Sequence, residues 1–137
     1  MMRQPIAFPL LLLALPAHAQ DAPAYGPMLE GYDYPHPLAH YRFQSQSEAM
    51  DMAYMDVKPA TPNGRSVVLL HGKNFCAATW EGSIRALAGA GYRVIAPDQV
   101  GWCKSTKPEH YEFSFEQLAA TQSVLDWSKV SIGPAST

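Results

Sequence analysis

The sequence is poor in charge, poor in cysteine, and has no apolar stretch long enough to cross a membrane. Charged residues make up 16% of the 137, with 10 Lys and Arg against 12 Asp and Glu, for a net charge of −2. Nucleic-acid binding needs clustered Lys and Arg, and no basic stripe is present. His36, His40 and His110 show no ligand spacing on one element, which argues against a metal site. No cofactor is expected and no internal repeat is evident. Against these absences stands an apolar content of 47%. That is enough to collapse around a core, and the length suits about one small domain.

The first stretch is MMRQPIAFPLLLLALPAHAQ. Arg3 gives a positive start, Ile6 to Leu15 is a short apolar region interrupted by Pro9, and Ala17-His18-Ala19 fits the small-x-small cleavage rule. The apolar run falls short of the ~20 residues of a span. The expectation is a signal peptide over residues 1–19, cleaved after Ala19. The mature protein is then exported, periplasmic or secreted, without a membrane span.

Residues 20–40 are rich in Pro, Tyr and Gly. The prolines forbid regular helix, so this segment is expected as an extended arm packed through Tyr25, Met28, Tyr32 and Tyr34. The domain proper is expected over 41–137. Tyr41 to Val57 alternates loosely and predicts two strands with a tight turn near Gln46 to Glu48. Met50, Met52 and Tyr54 then share one face, where core packing is the better reading for methionine. Val67 to Leu70 is a continuous apolar run, predicting a strand over 66–71 covered on both faces. Trp80, Ile84, Leu87 and Ala88 form one apolar stripe of a helix over 79–90, ended by Gly91. A strand over 92–97 follows, completing a βαβ unit with parallel strands. Ser114 opens a second helix, with Gln117 at capping-box spacing and Phe113 and Leu118 at staple spacing.

An α/β sheet places ligands beyond the carboxyl ends of its strands. The loops carrying His71-Gly72 and Asp98 both lie there. Gly72 lets the backbone approach a ligand closely, and the N–H groups of Lys73 and Asn74 are candidates to face a pocket. Donors fixed at such a point stabilise an oxygen as it gains charge, the oxyanion-hole role.

These residues resemble the α/β-hydrolase family. The match rests on a strand ending in His71-Gly72, then a helix, then a strand ending in Asp98-Gln-Val-Gly101-Trp-Cys-Lys-Ser105. The Tyr-rich arm and AYMDVKPA look like a bacterial exported branch, so the resemblance covers roughly Tyr25 to Leu125. It implies a three-layer α/β fold: the N-terminal β-hairpin and βαβ unit of the hydrolase sheet. It also implies that Lys73, or Asn74, supplies the oxyanion donor. Asn74 stands where many members carry proline. His71, Gly72, Asp98, Gly101 and Ser105 are implied as structural residues of the site loops. In the implied sheet, Cys76 and Cys103 lie past the ends of neighbouring parallel strands, which brings them within reach of a disulfide. Two free thiols are the alternative.

The family's nucleophile sits in G-x-S-x-G after the next strand, with its acid and histidine later in chain order. The nearest match, Gly133-Pro-Ala-Ser136-Thr, lacks the spacing and the second glycine. No catalytic residue is therefore assigned. The expectation is the N-terminal portion of an exported serine-type hydrolase of ester, amide or related bonds, inactive by itself and taking its small-molecule substrate only in the intact parent. A broken gene is one source of such a chain. A non-catalytic exported binding module, or a half that complements a separate C-terminal half, is the alternative. An unpaired strand 66–71 would also promote self-association.

Overall fold

Two non-glycine residues with positive φ set the first turn. The computed structural model describes residues 24–123. Within them Gln46 (φ 48°) and Ser47 (φ 65°) join strand β1, Leu38–Ser45, to strand β2, Glu48–Val57. A two-residue turn of this handedness matches the twist of the strands it connects. The antiparallel register runs from Ser45 opposite Glu48 to Leu38 opposite Met55. β1 begins at Leu38, three residues inside the segment expected as arm.

Strand β3, Ser66–Val68, is followed by a 3-10 turn, Ala77–Trp80, helix α1, Glu81–Gly89, and strand β4, Arg93–Pro97. The sheet order is β1-β2-β4-β3, with β4 antiparallel to β2 and parallel to β3. Helix α2, Phe115–Ser123, is the last described element.

Three further expectations change. The third strand is shorter than 66–71 because its partner runs out of donors. Leu69 N–H still reaches the Ile95 carbonyl at 2.9 Å. The next bond in this register would need an N–H on Pro97, and proline has none. The strand is also only half-buried, not covered on both faces, because it is an edge of the described sheet. The first helical turn, in turn, begins two residues earlier than predicted. The Asp98 carboxylate accepts the Ala77 N–H at 2.8 Å and organises the chain there.

Both faces of β2 are buried. Met50 and Met52 pack with Val100 and Tyr111 on one face. Met55 packs with Ile84, Val94 and Ala96 on the other, where Trp80, Leu87 and Ala88 of the helical stripe also lie. Each fully buried methionine contributes about 1.5–3 kcal/mol by leaving water. Arg93 and Asp56 form a two-pronged ion pair across β4 and β2, at 2.9 and 2.6 Å. Hydrogen bonding to this carboxylate, outweighing burial, raises the Arg93 pKa above its usual value.

Candidate functional site

Two loops leave the carboxyl ends of β3 and β4, and each contains a turn of the same kind. Phe75 N–H closes on the Gly72 carbonyl at 3.1 Å, with Asn74 third in the turn at φ +68°. Trp102 N–H closes on the Gln99 carbonyl at 3.0 Å, with Gly101 third at φ +94°. A positive φ at that position alone is the type II pattern, which selects glycine or asparagine. This accounts for Asn74 as a turn former. At Gly101 a Cβ would also lie 2.9 Å from the tip of the Phe113 ring, which would have to move aside. That ring sits edge-on to Trp102 and Tyr111.

The loops are fastened to each other on both sides of the first turn. Before it, His71 is 4% exposed, and its Nε2 accepts the Gln99 N–H at 2.9 Å while Nδ1 lies 3.0 Å from the Gly72 carbonyl. Accepting at Nε2 places the proton on Nδ1, which donates to Gly72. The Gln99 amide returns to the His71 carbonyl. His71 is thus a satisfied buried histidine. After the turn, Cys76 and Cys103 form a disulfide with Cα atoms 5.8 Å apart.

Asp98 adds the third fastening. It is 0% exposed, its Oδ1 accepts the Ala77 N–H, and its Oδ2 accepts the Lys104 N–H at 3.0 Å and the Tyr34 hydroxyl at 2.5 Å. Ala77 follows one cysteine and Lys104 the other, so carboxylate and disulfide join the same two segments. Burial, followed by the hydrogen bond to Asp98, pushes the Tyr34 phenol well above the usual tyrosine range. Ser105, also 0% exposed, donates to the Asp98 carbonyl at 2.6 Å and accepts the Ala53 N–H at 2.9 Å, pinning the loop to β2. Cys76, Asp98 and Cys103 cluster closely enough to suit a metal, but the two sulfurs are spent on each other.

Between these loops and α2 lies a cleft of about 760 Å³, with Leu70, Trp102, Phe115 and Leu118 among its walls. Lys73 lines it and Asn74 does not. The Lys73 backbone N–H has no hydrogen-bond partner among the described residues. Gln122 also lines the cleft, and both polar atoms of its amide are buried without a partner among the described residues. At the start of α2, Ser114 Oγ accepts the Gln117 N–H at 3.0 Å, as its capping position predicts. The Gln117 amide turns away to Ser45 Oγ at 3.1 Å instead of closing a capping box.

The structure therefore places His71, Gly72 and Lys73 in the cleft wall, while Asp98, Ser105 and the two cysteines fasten the loops that carry it, and Asn74 and Gly101 shape the turns of those loops without lining the cleft. Sequence reasoning names Tyr34 as a packing residue of the arm but misses its bond to Asp98, 64 residues away, and it misses Gln99, whose role depends on the histidine it meets. The segments carrying Ala19, Leu125 and Ser136 lie outside the described residues, as does the expected signal peptide. Among the described residues no helix is long and apolar enough to cross a membrane.

Residues 65–126 match the family of the alpha/beta hydrolase fold. A haloalkane dehalogenase of Mycobacterium marinum is 34% identical over 119 residues, covering 74% of this chain and 38% of that protein. Epoxide hydrolase A of Mycobacterium tuberculosis is 45% identical over 65 residues, covering 47% of this chain and 20% of that protein. The crystal structure of a probable hydrolytic enzyme from Pseudomonas aeruginosa superposes with a TM-score of 0.74 at 59% identity, over 76% of this chain and 33% of that one. The chain thus spans 20 to 38% of the length of these proteins. Sheet order, loop geometry and these likenesses agree: the chain belongs to the α/β-hydrolase fold family and carries the N-terminal part of that fold.

Proposed function

We propose that this chain supplies the oxyanion-holding part of an exported hydrolase acting on ester, amide or related bonds. The attacking group, its base and its orienting acid come from polypeptide outside these 137 residues, which contain no G-x-S-x-G. The observation that carries this reading is that Lys73, whose N–H has no partner among the described residues, lines the cleft in a turn fastened on both sides. A preorganised donor there stabilises a developing oxyanion without reorganising during the reaction. The apolar walls fit a small apolar substrate. The relatives named as a haloalkane dehalogenase and an epoxide hydrolase extend the class of bonds from carbonyls to carbon–halogen and epoxide bonds. Export is supported by the N-terminal pattern and by the disulfide, since such bridges persist in oxidising compartments.

The half-buried strand β3, an edge of the sheet among the described residues, favours a second element of the reading: further polypeptide packs against this edge. In its absence the 137-residue chain self-associates there, since an apolar edge is a template for pairing.

The test is a transplant. The matching third of the Pseudomonas aeruginosa hydrolytic enzyme is replaced by this chain, and hydrolysis of an activated ester is compared for the chimaera and the 137-residue polypeptide. The chimaera is expected to turn over and the polypeptide to be inert. Steady hydrolysis by the polypeptide alone, abolished by altering a side chain within it, overturns the reading.

A further inference from the structure

We propose that the N-terminal arm is a working part of the site, and that Tyr34 is the positioning residue through which it acts. This rests on the oxyanion reading of the Lys73 turn. The Tyr34 hydroxyl donates to Asp98 Oδ2, the same oxygen that holds the Lys104 N–H, while Oδ1 holds the Ala77 N–H. One buried carboxylate therefore joins three segments: the arm, the start of the helical turn after Cys76, and the loop after β4. All three contacts donate to Asp98, whose two carboxylate oxygens have the acceptor sites for them.

The arm is seated at more points than this one. Lys104 Nζ lies 5.4 Å from the centre of the Tyr34 ring, a cation–π distance. Tyr32 meets Tyr34 edge-on at 5.7 Å, and Tyr25 meets Tyr32 edge-on at 5.3 Å. Lys107 Nζ donates to the Cys103 carbonyl and lies 3.5 Å from Met28 Sδ. The arm thus touches the Cys103–Lys107 segment at two places, and that segment is bonded to the residues following the Lys73 turn.

A buried carboxylate oxygen that loses a donor must find another or shift. Deleting the Tyr34 hydroxyl leaves Oδ2 with Lys104 alone, so Asp98 moves and its grip on Ala77 and Lys104 loosens. The Lys73 turn lies four residues before Ala77 and loses its fixed position with it.

The experiment is amide hydrogen exchange on the 137-residue protein, comparing the natural sequence with Tyr34→Phe and with Tyr32→Phe as control. Exchange at Ala77 and Lys104 is expected to rise at least tenfold in Tyr34→Phe, with the amides of Val94–Ala96 unchanged and the control unaffected. Equal protection at Ala77 and Lys104 in all three proteins overturns the proposal. Should Tyr34→Phe unfold, the natural sequence supplies the reading. A slowly exchanging hydroxyl proton with a cross-peak to the Lys104 amide supports the contact, while a Tyr34 phenol that titrates with the other tyrosines overturns it. These readouts need no catalysis. Failure of the oxyanion reading shows itself separately, as unchanged chimaera activity when the Lys73 N–H is removed.

Discussion

Replacing Lys73 by proline removes the proposed oxyanion donor while leaving its turn intact. Lys73 is the second residue of the type II turn closed by Phe75 N–H and the Gly72 carbonyl. That position favours proline, whose fixed φ near −65° fits it. The lost N–H makes no hydrogen bond among the described residues, so no structural bond is lost. Proline at a compatible site typically stabilises by about 0.4–1 kcal/mol, through the unfolded state. Losing one oxyanion donor raises the barrier by about 2.7–4 kcal/mol, roughly 100- to 1,000-fold in kcat. Folding and activity should therefore move in opposite directions, which few substitutions do. The assay pairs a thermal melt of the 137-residue protein with ester hydrolysis by the chimaera. Lys73→Ala serves as control because it removes the side chain and keeps the N–H. If Lys73→Pro retains the kcat of Lys73→Ala, the donor lies elsewhere. If the melt falls by several degrees, the turn has been misassigned.

Three further outcomes are expected. Reducing the Cys76–Cys103 bridge, which closes a separation of 27 residues, should cost about 3–4 kcal/mol and lower the melting temperature by more than roughly 10 °C; an unchanged melt in reductant would show the bridge to be irrelevant to stability. Gly101→Ala should cost about 1–3 kcal/mol, for a side chain at positive φ pressed against the Phe113 ring, seen as a lower urea midpoint with the same slope. Leu70→Lys places a charge at the end of the β3 edge, at a site already 46% exposed; light scattering should show less self-association than in the natural sequence, and equal association would place that contact elsewhere.

What the sequence announces here is local. The hairpin is written in the alternation around Met50 and Met52, and the stripe of Trp80, Ile84, Leu87 and Ala88 packs on the face it predicts. Asn74 and Gly101 mark their turns by residue type. Cys76 and Cys103 pair because parallel neighbours end at the same edge. The illegible part is long-range and polar. Nothing near Tyr34 advertises a carboxylate 64 residues away, and Asp56 gives no hint of Arg93, because an ion pair across β2 and β4 depends on register. The Gln99 clasp is equally silent, since glutamine in a loop is ordinarily solvated. The length of β3 is illegible for a different reason: the strand reads as long on its own, and the limit lies in its neighbour's imino acid.

That imino acid has a reach beyond the sheet. Were Pro97 able to donate, the parallel ladder would zip one rung further, and the backbone at Leu70 and His71 would be drawn flat alongside β4. The histidine would then point along a pleat instead of folding over to meet Gln99. A single absent hydrogen atom thus fixes the place where scaffold yields to loop. Pro97→Ala is predicted to lengthen the strand and to unseat the turn that follows it, an alteration made on one strand and felt on another.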